Sequence, residues 1–217
     1  KSPTEAWSSW PRPGVPQHHQ PHNLFPRTRV VLDADLPGMV DRLVDAGCTW
    51  VNPVEVLPPM MDDRSARPDD DRFRFVTGRR PVVEWTFARA AAEHDGVTVR
   101  RGVSVDALIL GRACVEGAPH VVGVRTTDGD ELRADLVVDA MGRRSKLVEW
   151  LGDAGAREIP ITSEDSGFVY YTRYFTGAQL PASMGPALTA MGTFSILTLP
   201  GDNDTWSVTL FAAASDP

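Results

Sequence analysis

The segment Asp128–Ser145, which reads D-G-D-E-L-R-A-D-L-V-V-D-A-M-G-R-R-S, contains the residues whose types and spacing are best suited to chemistry. Within it, Leu136–Val138 predicts a buried apolar strand that ends at Asp139. Gly142 follows shortly after, and a glycine allows the backbone to approach a ligand closely. Because open α/β sheets hold polar cofactors at the carboxyl ends of their strands, Asp139 predicts a contact with such a cofactor.

Asp139 also permits a purely structural interpretation. A carboxylate after a strand often caps the helix that follows, and Arg144–Leu151 predicts a short helix at a suitable distance. Segments in which a strand leads into a turn are common, so the block alone does not decide between a cofactor contact and a helix cap.

Length, charge and cysteine content restrict the function classes. The 217 residues suffice for one large domain or parts of two, and acidic residues outnumber basic ones by 29 to 22, which argues against a nucleic-acid partner. Cys48 and Cys114 are too few for a disulfide framework or a zinc site, and no metal site is predicted. No apolar run reaches the length of a membrane span and no signal peptide is visible, so we expect a cytoplasmic protein.

The ends of the chain indicate a fragment of a longer protein. There is no initiator methionine, and Lys1–Pro26 is rich in Pro, His, Ser and Trp, as connecting segments are. The last residues, Phe211–Pro217, follow directly on a predicted strand. We therefore expect further sequence on both sides.

The elements that would position the Asp139 block are helices and a group of strands. Helical spacing of apolar residues predicts helices at Leu36–Ala46, Pro81–His94 and Arg144–Leu151. Alternation and β-branched residues predict strands at Cys48–Leu57, Phe73–Val76, Val97–Arg100, Val103–Leu110, His120–Thr127 and Glu131–Val138, with a loop at Pro58–Asp71. The last three strands follow one another across short polar turns, which predicts an antiparallel meander.

A second, antiparallel sheet is predicted after Gly155. Phe168–Phe175, Thr193–Leu199 and Thr205–Phe211 are rich in aromatic and β-branched residues, and Pro200–Asp204 predicts a turn between the last two. Five aromatic side chains of this sheet either line a substrate site or form its core: Tyr170, Tyr171, Tyr174, Phe194 and Trp206.

Three segments resemble motifs of one protein family. Trp10–His22 is similar to an R-x-G-V-P-Q-x-x-H-x-H stretch, Arg80–Phe87 to an R-x-x-L-E-x-x-L helix start, and Asp139–Ser145 to a D-G motif. In this order and spacing they resemble the FAD-dependent monooxygenase and reductase superfamily, which includes the aromatic hydroxylases and the geranylgeranyl reductases. The resemblance implies an α/β fold: a Rossmann-like FAD-binding domain with an inserted meander at 1–155 and a mainly antiparallel β substrate domain at 156–217, both incomplete in this chain.

The resemblance also implies which residues contact FAD. Arg80 would reach the ribityl chain or a phosphate oxygen through forked hydrogen bonds, and the alternative is an ordinary surface arginine beside Arg79. Val105 lies in the strand that would offer backbone groups to the adenine. Gln17 lies in a segment near the flavin ring, and the histidines beside it are expected to be solvated.

The D-G block receives roles in the same way. Asp139 would face the ribityl or pyrophosphate region, and Gly142 would clear space for it. Arg143, Arg144 and Ser145 would line the approach of NAD(P)H. No catalytic side chain is predicted, because in this superfamily the flavin carries the chemistry.

The sequence departs from the family pattern in two motifs. The dinucleotide fingerprint, G-x-G-x-x-G after a first strand, is absent from this sequence. A second flavin motif, a Gly-Asp pair before a helix, is absent as well, because Gly201-Asp202 falls in a predicted hairpin turn. A site built from these residues therefore lacks the loop that would hold the pyrophosphate.

The function implied by the resemblance is NAD(P)H-dependent monooxygenation through a flavin hydroperoxide, with a small aromatic or polyketide-like molecule as substrate. Reduction of a prenyl double bond on the same fold is the first alternative. A non-catalytic fragment that has lost the cofactor is the second. Halogenation is a weaker alternative, because the tryptophan-rich motif of the tryptophan halogenases is absent and the region of their lysine lies outside this chain.

Overall fold

The computed structural model describes residues 2–9, 12, 14–55, 57, 60–177 and 187–215. Within the first sequence motif, Trp10, Pro11 and Pro13 lie outside these residues. The chain divides into two compact units, and each is described by itself. The first unit joins Lys1–Val97 to Ser166–Pro217, and the second is Thr98–Asp165. The predicted domains 1–155 and 156–217 divide the chain differently and stay a prediction.

The first unit contains four helices and two antiparallel sheets in its described residues. The helices are α1 (Pro3–Ser9), α2 (Pro26–Asp35), α3 (Met39–Asp45) and α4 (Arg80–Glu93). The smaller sheet has the order β1-β3-β2, with β1 at Pro21–Leu24, β2 at Thr49–Val51 and β3 at Phe75–Arg79.

The larger sheet of this unit has the order β7-β10-β9-β8. Its strands are β7 (Phe168–Thr176), β8 (Leu188–Ala190), β9 (Phe194–Pro200) and β10 (Thr205–Ala213). The predicted antiparallel sheet and its hairpin turn between β9 and β10 are confirmed. The short strand β8 has no counterpart in the prediction, since three residues are too few to show an alternating pattern.

The core of the first unit lies between α3, α4 and β3. Leu43 and Val82 are almost completely buried there, and Val76 of β3 packs into the same cluster. Each such aliphatic side chain contributes about 1.5–3 kcal/mol by leaving water. Pro81 occupies the first turn of α4, where its missing N–H costs no helical hydrogen bond, so the predicted start of this helix is confirmed.

The second unit is the predicted meander followed by a short helix. Its strands pair in the order β4-β5-β6, at Val105–Leu110, Val121–Thr126 and Glu131–Arg133, and α5 spans Leu147–Asp153. A 3₁₀ turn at Gly142–Arg144 precedes α5.

The predicted buried strand Leu136–Val138 is wrong for this structure. β6 ends at Arg133, and the side chains of Leu136 and Val138 are each 77% exposed. Within the described residues no strand pairs with this segment, and an extended apolar segment without a partner has neither a hydrogen-bond ladder nor a covering layer. The apolar pattern therefore predicted burial within a sheet, whereas Leu136 and Val138 are exposed and unpaired with any described strand.

Three further elements differ from the prediction. Val97–Arg100 forms no strand, and of Cys48–Leu57 only Thr49–Val51 pairs, because Pro53 and the turn after it end the ladder. Lys1–Pro26 contains α1 and β1 rather than an unstructured connection, since β1 pairs with β3.

All strand pairs between described residues are antiparallel, so the parallel Rossmann sheet stays a prediction. None of the helices in the described ranges is long and apolar enough to cross a membrane.

Candidate functional site

The predicted site residues divide between the two units. Gln17 and Arg80 belong to the first unit, and Val105 and Asp139, with Gly142 and the two arginines after it, belong to the second. Each group is therefore considered within its own unit.

Several charged and polar side chains meet at the start of α4 in the first unit. β1 runs antiparallel to β3 with His22 opposite Gly78, and β3 leads directly into α4 at Arg80. This pairing brings the first two sequence motifs side by side. We call the four side chains that meet there, Arg12, His22, Arg80 and Glu84, the α4 cluster.

Glu84 is the centre of the α4 cluster. Its Oε1 accepts a hydrogen bond of 2.6 Å from Nε of Arg80, one helical turn earlier, and its Oε2 lies 3.0 Å from Nη2 of Arg12. Nη1 of Arg80 lies 3.3 Å from Nε2 of His22. Burial lowers the pKa of His22, and the nearby Arg80 guanidinium lowers it further.

The charges of the α4 cluster suit an anionic group. The guanidinium groups of Arg12 and Arg80 both contact the Glu84 carboxylate beside the first turn of a helix. The helix dipole favours anions at this end of α4, and forked guanidinium groups bind phosphate or carboxylate oxygens well. Such donors are of the kind that a phosphate or a ribityl hydroxyl of FAD would need, and the contact of Arg80 with FAD stays a prediction.

Arg79, the residue before Arg80, takes part in a buried ion pair that the sequence did not reveal. Its Nη2 donates to Oδ2 of Asp202 at 2.7 Å and its backbone N–H donates to Oδ1 at 2.7 Å. The two side chains are 14% and 0% exposed. Burial alone would raise the pKa of Asp202, but the hydrogen bonds from Arg79 outweigh it and the net shift is downward.

The hairpin turn that contains Asp202 is fastened to the small sheet at several points. The Asn203 N–H donates to the Gly47 carbonyl at 3.0 Å, and Thr49 Oγ1 donates to the Gly201 carbonyl at 2.6 Å. Asn203 and Asp204 have positive φ angles of 48° and 58°, which tight turns require. The turn therefore joins the β9–β10 hairpin to the strand that leads into α4.

Gln20 links the α4 cluster to the larger sheet. Its carbonyl oxygen lies 2.8 Å from Nδ1 of His22, and its side-chain oxygen accepts a hydrogen bond from Thr172 Oγ1 on β7. The Thr172 hydroxyl lies 2.7 Å from that of Thr209 on β10. Gln20 occupies the position at which the R-x-G-V-P-Q-x-x-H-x-H pattern has its first histidine. This difference from the pattern is a sequence signal that could have identified Gln20 as a site residue.

Beyond these threonines the sheet presents an open aromatic surface. Because side chains alternate along a strand, Tyr170 and Phe168 lie on the same face as Thr172. Tyr170 packs edge-to-face on Phe211 with ring centroids 4.7 Å apart. Tyr170 is 48% exposed and Phe168 57% exposed. At the other end of this face, Tyr174 is covered by Trp7 at 4.8 Å between centroids.

Gln17 does not join the α4 cluster. It lies in the 3₁₀ turn Pro16–His19 with an exposed side chain, and its carbonyl accepts the Gln20 N–H at 3.0 Å. Its neighbour His18 is the buried histidine of this turn, and burial lowers the pKa of His18. The prediction that the histidines beside Gln17 are solvated is thus wrong for His18.

In the second unit, Asp139 closes a local turn. Its Oδ1 accepts the Met141 N–H at 2.8 Å and its Oδ2 accepts the Ser145 hydroxyl. These hydrogen bonds, the one from Ser145 first, lower the pKa of Asp139. The N–H of Leu147, the first residue of α5, is bonded to Ser145 Oγ rather than to Asp139. Asp139 therefore supports the turn before α5 without capping the helix itself, and its contact with a cofactor stays a prediction.

The remaining predicted residues of this unit differ in exposure. Gly142 has φ of +72°, and a Cβ at this position would meet no atom within 4 Å, while its role toward a ligand stays a prediction. Arg143 and Arg144 are exposed in the 3₁₀ turn. Val105 pairs with Thr126 at the start of β4, a half-buried strand position.

The chain matches the protein-family model described as tryptophan halogenase over residues 85–159, about a third of its length. That range includes most of α4 and the whole Asp139 block. No curated protein matches the chain.

Among solved structures, the chain is similar to PqsL, a probable FAD-dependent monooxygenase from Pseudomonas aeruginosa, with a TM-score of 0.63 at 15% identity. PqsL in complex with 2-aminobenzoylacetate gives a TM-score of 0.65 at 17% identity. Each of these matches covers 89% of this chain and 50% of PqsL, so the chain spans about half the length of that protein.

A further match is MibH, a tryptophan 5-halogenase, with a TM-score of 0.44 at 26% identity over 66% of this chain and 26% of MibH. The resemblance predicted from the three sequence motifs is confirmed by the PqsL fold and the family match. The chain therefore has the fold of the FAD-dependent monooxygenases.

Proposed function

We propose that the protein is an FAD-dependent oxidoreductase, and specifically an NAD(P)H-dependent monooxygenase that acts on a small aromatic molecule. The observation that carries this proposal is the connection of two features within one unit. The α4 cluster, with its two guanidinium groups, lies at one end of a hydrogen-bond chain through Gln20, and the open aromatic surface lies at the other end. In this proposal the α4 cluster contacts the cofactor, the aromatic surface receives the substrate, and a few residues join the two.

FAD, when bound, supplies the redox chemistry and the reaction with dioxygen. The residues of this chain hold and orient it in this proposal. Arg80 donates to a phosphate or ribityl oxygen, while Glu84 fixes its guanidinium plane through the Nε contact. Within the second unit, considered by itself, Gly142 gives a ligand access to the backbone, and Arg143 and Arg144 attract the phosphates of NAD(P)H in this proposal.

The substrate in this proposal rests on the face of the sheet that carries Tyr170 and Phe211. Their edge-to-face pair offers a flat apolar contact for an aromatic ring. Thr172, two residues along the same strand, offers a hydroxyl beside it for a polar substituent. PqsL binds 2-aminobenzoylacetate, which supports a substrate of small size.

Halogenation by the same cofactor is the second candidate function, favoured by the tryptophan halogenase family match over residues 85–159. Reduction of a prenyl double bond has no comparable observation in its favour. The three reactions differ in their need for dioxygen and halide. A monooxygenase needs dioxygen but no halide, a halogenase needs both, and a reductase needs neither.

Oxygen uptake by the full-length protein with NAD(P)H separates these reactions. We expect NAD(P)H oxidation that is coupled to oxygen uptake and stimulated by an aromatic substrate without any halide. Turnover that requires chloride or bromide would contradict the monooxygenase proposal and support halogenation. Equal turnover without oxygen would contradict both of these functions.

Two neighbouring tyrosines provide a matched test of the substrate surface. Tyr170 and Tyr171 are both exposed but lie on opposite faces of β7. We expect Tyr170→Ala to raise the KM for the substrate about tenfold, the loss of roughly 1.4 kcal/mol of contact, and Tyr171→Ala to leave it unchanged. Equal effects of the two substitutions would contradict the assignment of the face.

A further inference from the structure

His22 lies between a fixed acceptor and a fixed donor. On one side the Gln20 carbonyl oxygen is 2.8 Å from Nδ1, and on the other side Nη1 of Arg80 is 3.3 Å from Nε2. The backbone of His22 is held as well, because its carbonyl accepts a hydrogen bond of 2.9 Å from the Thr77 hydroxyl on β3. The ring therefore cannot shift without breaking these contacts.

The two partners determine the protonation state of the ring. A carbonyl oxygen only accepts, so Nδ1 must carry the proton, and a guanidinium only donates, so Nε2 must present its lone pair. His22 is thus neutral with its proton on Nδ1. A second proton on Nε2 would point directly at an N–H of Arg80 and would convert the hydrogen bond into a repulsion between two cations.

The charged groups around His22 agree with this state. Arg80 and Glu84 face the ring from α4, and Arg12 is paired to the other oxygen of Glu84. The Gln20 carbonyl and the Glu84 carboxylate each raise the pKa of His22, but burial and the Arg80 guanidinium outweigh them and the net shift is downward. Glu84 is the carboxylate of the α4 cluster, and because two arginines already contact it, it offsets only part of an added charge on His22.

We propose that His22 is a positioning residue for Arg80: its neutral ring holds the guanidinium toward the cofactor, so that binding of FAD weakens when His22 is protonated. This inference rests on the proposed function for the identity of the bound group, but not for the state of the ring. The sequence motifs Trp10–His22 and Arg80–Phe87 did not predict a contact between His22 and Arg80, because no role was predicted for the histidines of the first motif.

The direction of the pH dependence follows from the geometry. Above about pH 6.5, the ordinary pKa of histidine, the ring is neutral and the Arg80 contact is intact. As the pH falls below that value and through the lowered pKa of His22, the contact is lost and Arg80 is repelled. Binding of FAD should therefore weaken on the acid side and be constant on the alkaline side.

The experiment measures FAD affinity of the full-length protein by flavin fluorescence as a function of pH. For the unaltered protein we expect the dissociation constant to rise about tenfold between about pH 8 and about pH 5, which corresponds to about 1.4 kcal/mol. His22→Gln keeps an uncharged acceptor near the position of Nε2 and should bind FAD well without this acid-side loss. His22→Leu removes the acceptor and should bind FAD about tenfold more weakly at every pH.

An exposed histidine of the second unit supplies the control. His120→Gln should reproduce the pH profile of the unaltered protein, because His120 lies outside the α4 cluster. Nitrogen-15 NMR of the histidine rings gives a readout without FAD, and should show a neutral Nδ1–H ring that disappears in His22→Gln.

The outcomes separate the two proposals. If the protein binds no FAD at any pH, the proposed function fails while the NMR result still decides the state of His22. If FAD binds with an affinity that neither pH nor His22→Leu changes, the positioning role of His22 is overturned and the proposed function stands. A ring protonated on Nε2 at neutral pH would also overturn it.

Discussion

Removal of the Asp202 carboxylate should destabilise the first unit strongly. In Asp202→Ala the Arg79 guanidinium, now 14% exposed and held by three side-chain hydrogen bonds to Asp202, loses its counter-ion. The backbone N–H of Arg79 loses its acceptor at the same time. The Trp7 ring also lies beside this guanidinium, with its centroid 4.9 Å from the guanidinium carbon, but an aromatic ring cannot replace a carboxylate.

The magnitude follows from the burial of the pair. Breaking a buried ion pair by removing one partner costs about 3–5 kcal/mol, and the slight exposure of Arg79 places this case near about 3 kcal/mol. For a chain of this size, each kcal/mol lowers the melting temperature by roughly 2–4 °C, so we expect a decrease of about 6–12 °C. The double variant Arg79→Met with Asp202→Ala leaves no unpaired charge and should lose less than the sum of the two single variants.

The assay is urea unfolding monitored by tryptophan fluorescence. Trp7 lies beside the ion pair, so its fluorescence responds to loss of structure there. It would be repeated with falling pH, because Asp202 has a lowered pKa in the folded state. The stabilisation is present above the ordinary pKa of aspartate, about 4, and is lost as the pH falls through the lowered value. A cost below about 1 kcal/mol, typical of a surface pair, together with no change below pH 4, would refute the reasoning.

Two further predictions concern single residues. Gly47 and Gly129 both have positive φ angles, +100° and +90°, but a Cβ at Gly47 would meet the Asn203 side chain whereas one at Gly129 would meet open space. Gly47→Ala should therefore reduce the free energy of unfolding by about 1–3 kcal/mol more than Gly129→Ala, and equal losses in denaturant titrations would contradict the docking of the hairpin turn. Cys114 is exposed, whereas burial raises the pKa of Cys48 to about 12, so maleimide should modify Cys114 quickly and Cys48 only on unfolding. Fast modification of both thiols in folded protein would contradict this, and Cys114→Ser serves as the control.

The elements that the sequence predicted well carry their own local signals. Pro81 marks the first turn of α4, and the Pro200–Asp204 turn separates two strongly β-forming segments. Such signals reflect the backbone preferences of a few neighbouring residues, so these elements could be predicted without knowledge of any distant partner.

The parts that sequence reasoning missed depend on distant partners. Leu136–Val138 has the composition of a buried strand, but a strand exists only where another strand pairs with it. Asp202 was interpreted as an ordinary turn residue, because its partner Arg79 lies 123 residues earlier in the sequence. Arg80 could be selected by a motif, whereas its contact with His22 required the pairing of β1 with β3.

Cofactor binding by the full-length protein tests the central claim most directly. The claim is that the α4 cluster helps to hold FAD, and the measurement is the flavin bound per protein chain after purification with added FAD. The account predicts one FAD per chain in the unaltered protein, and markedly weaker binding in an Arg80→Leu variant that remains folded. A folded full-length protein that binds no flavin, or an Arg80→Leu variant with unchanged affinity, would contradict it.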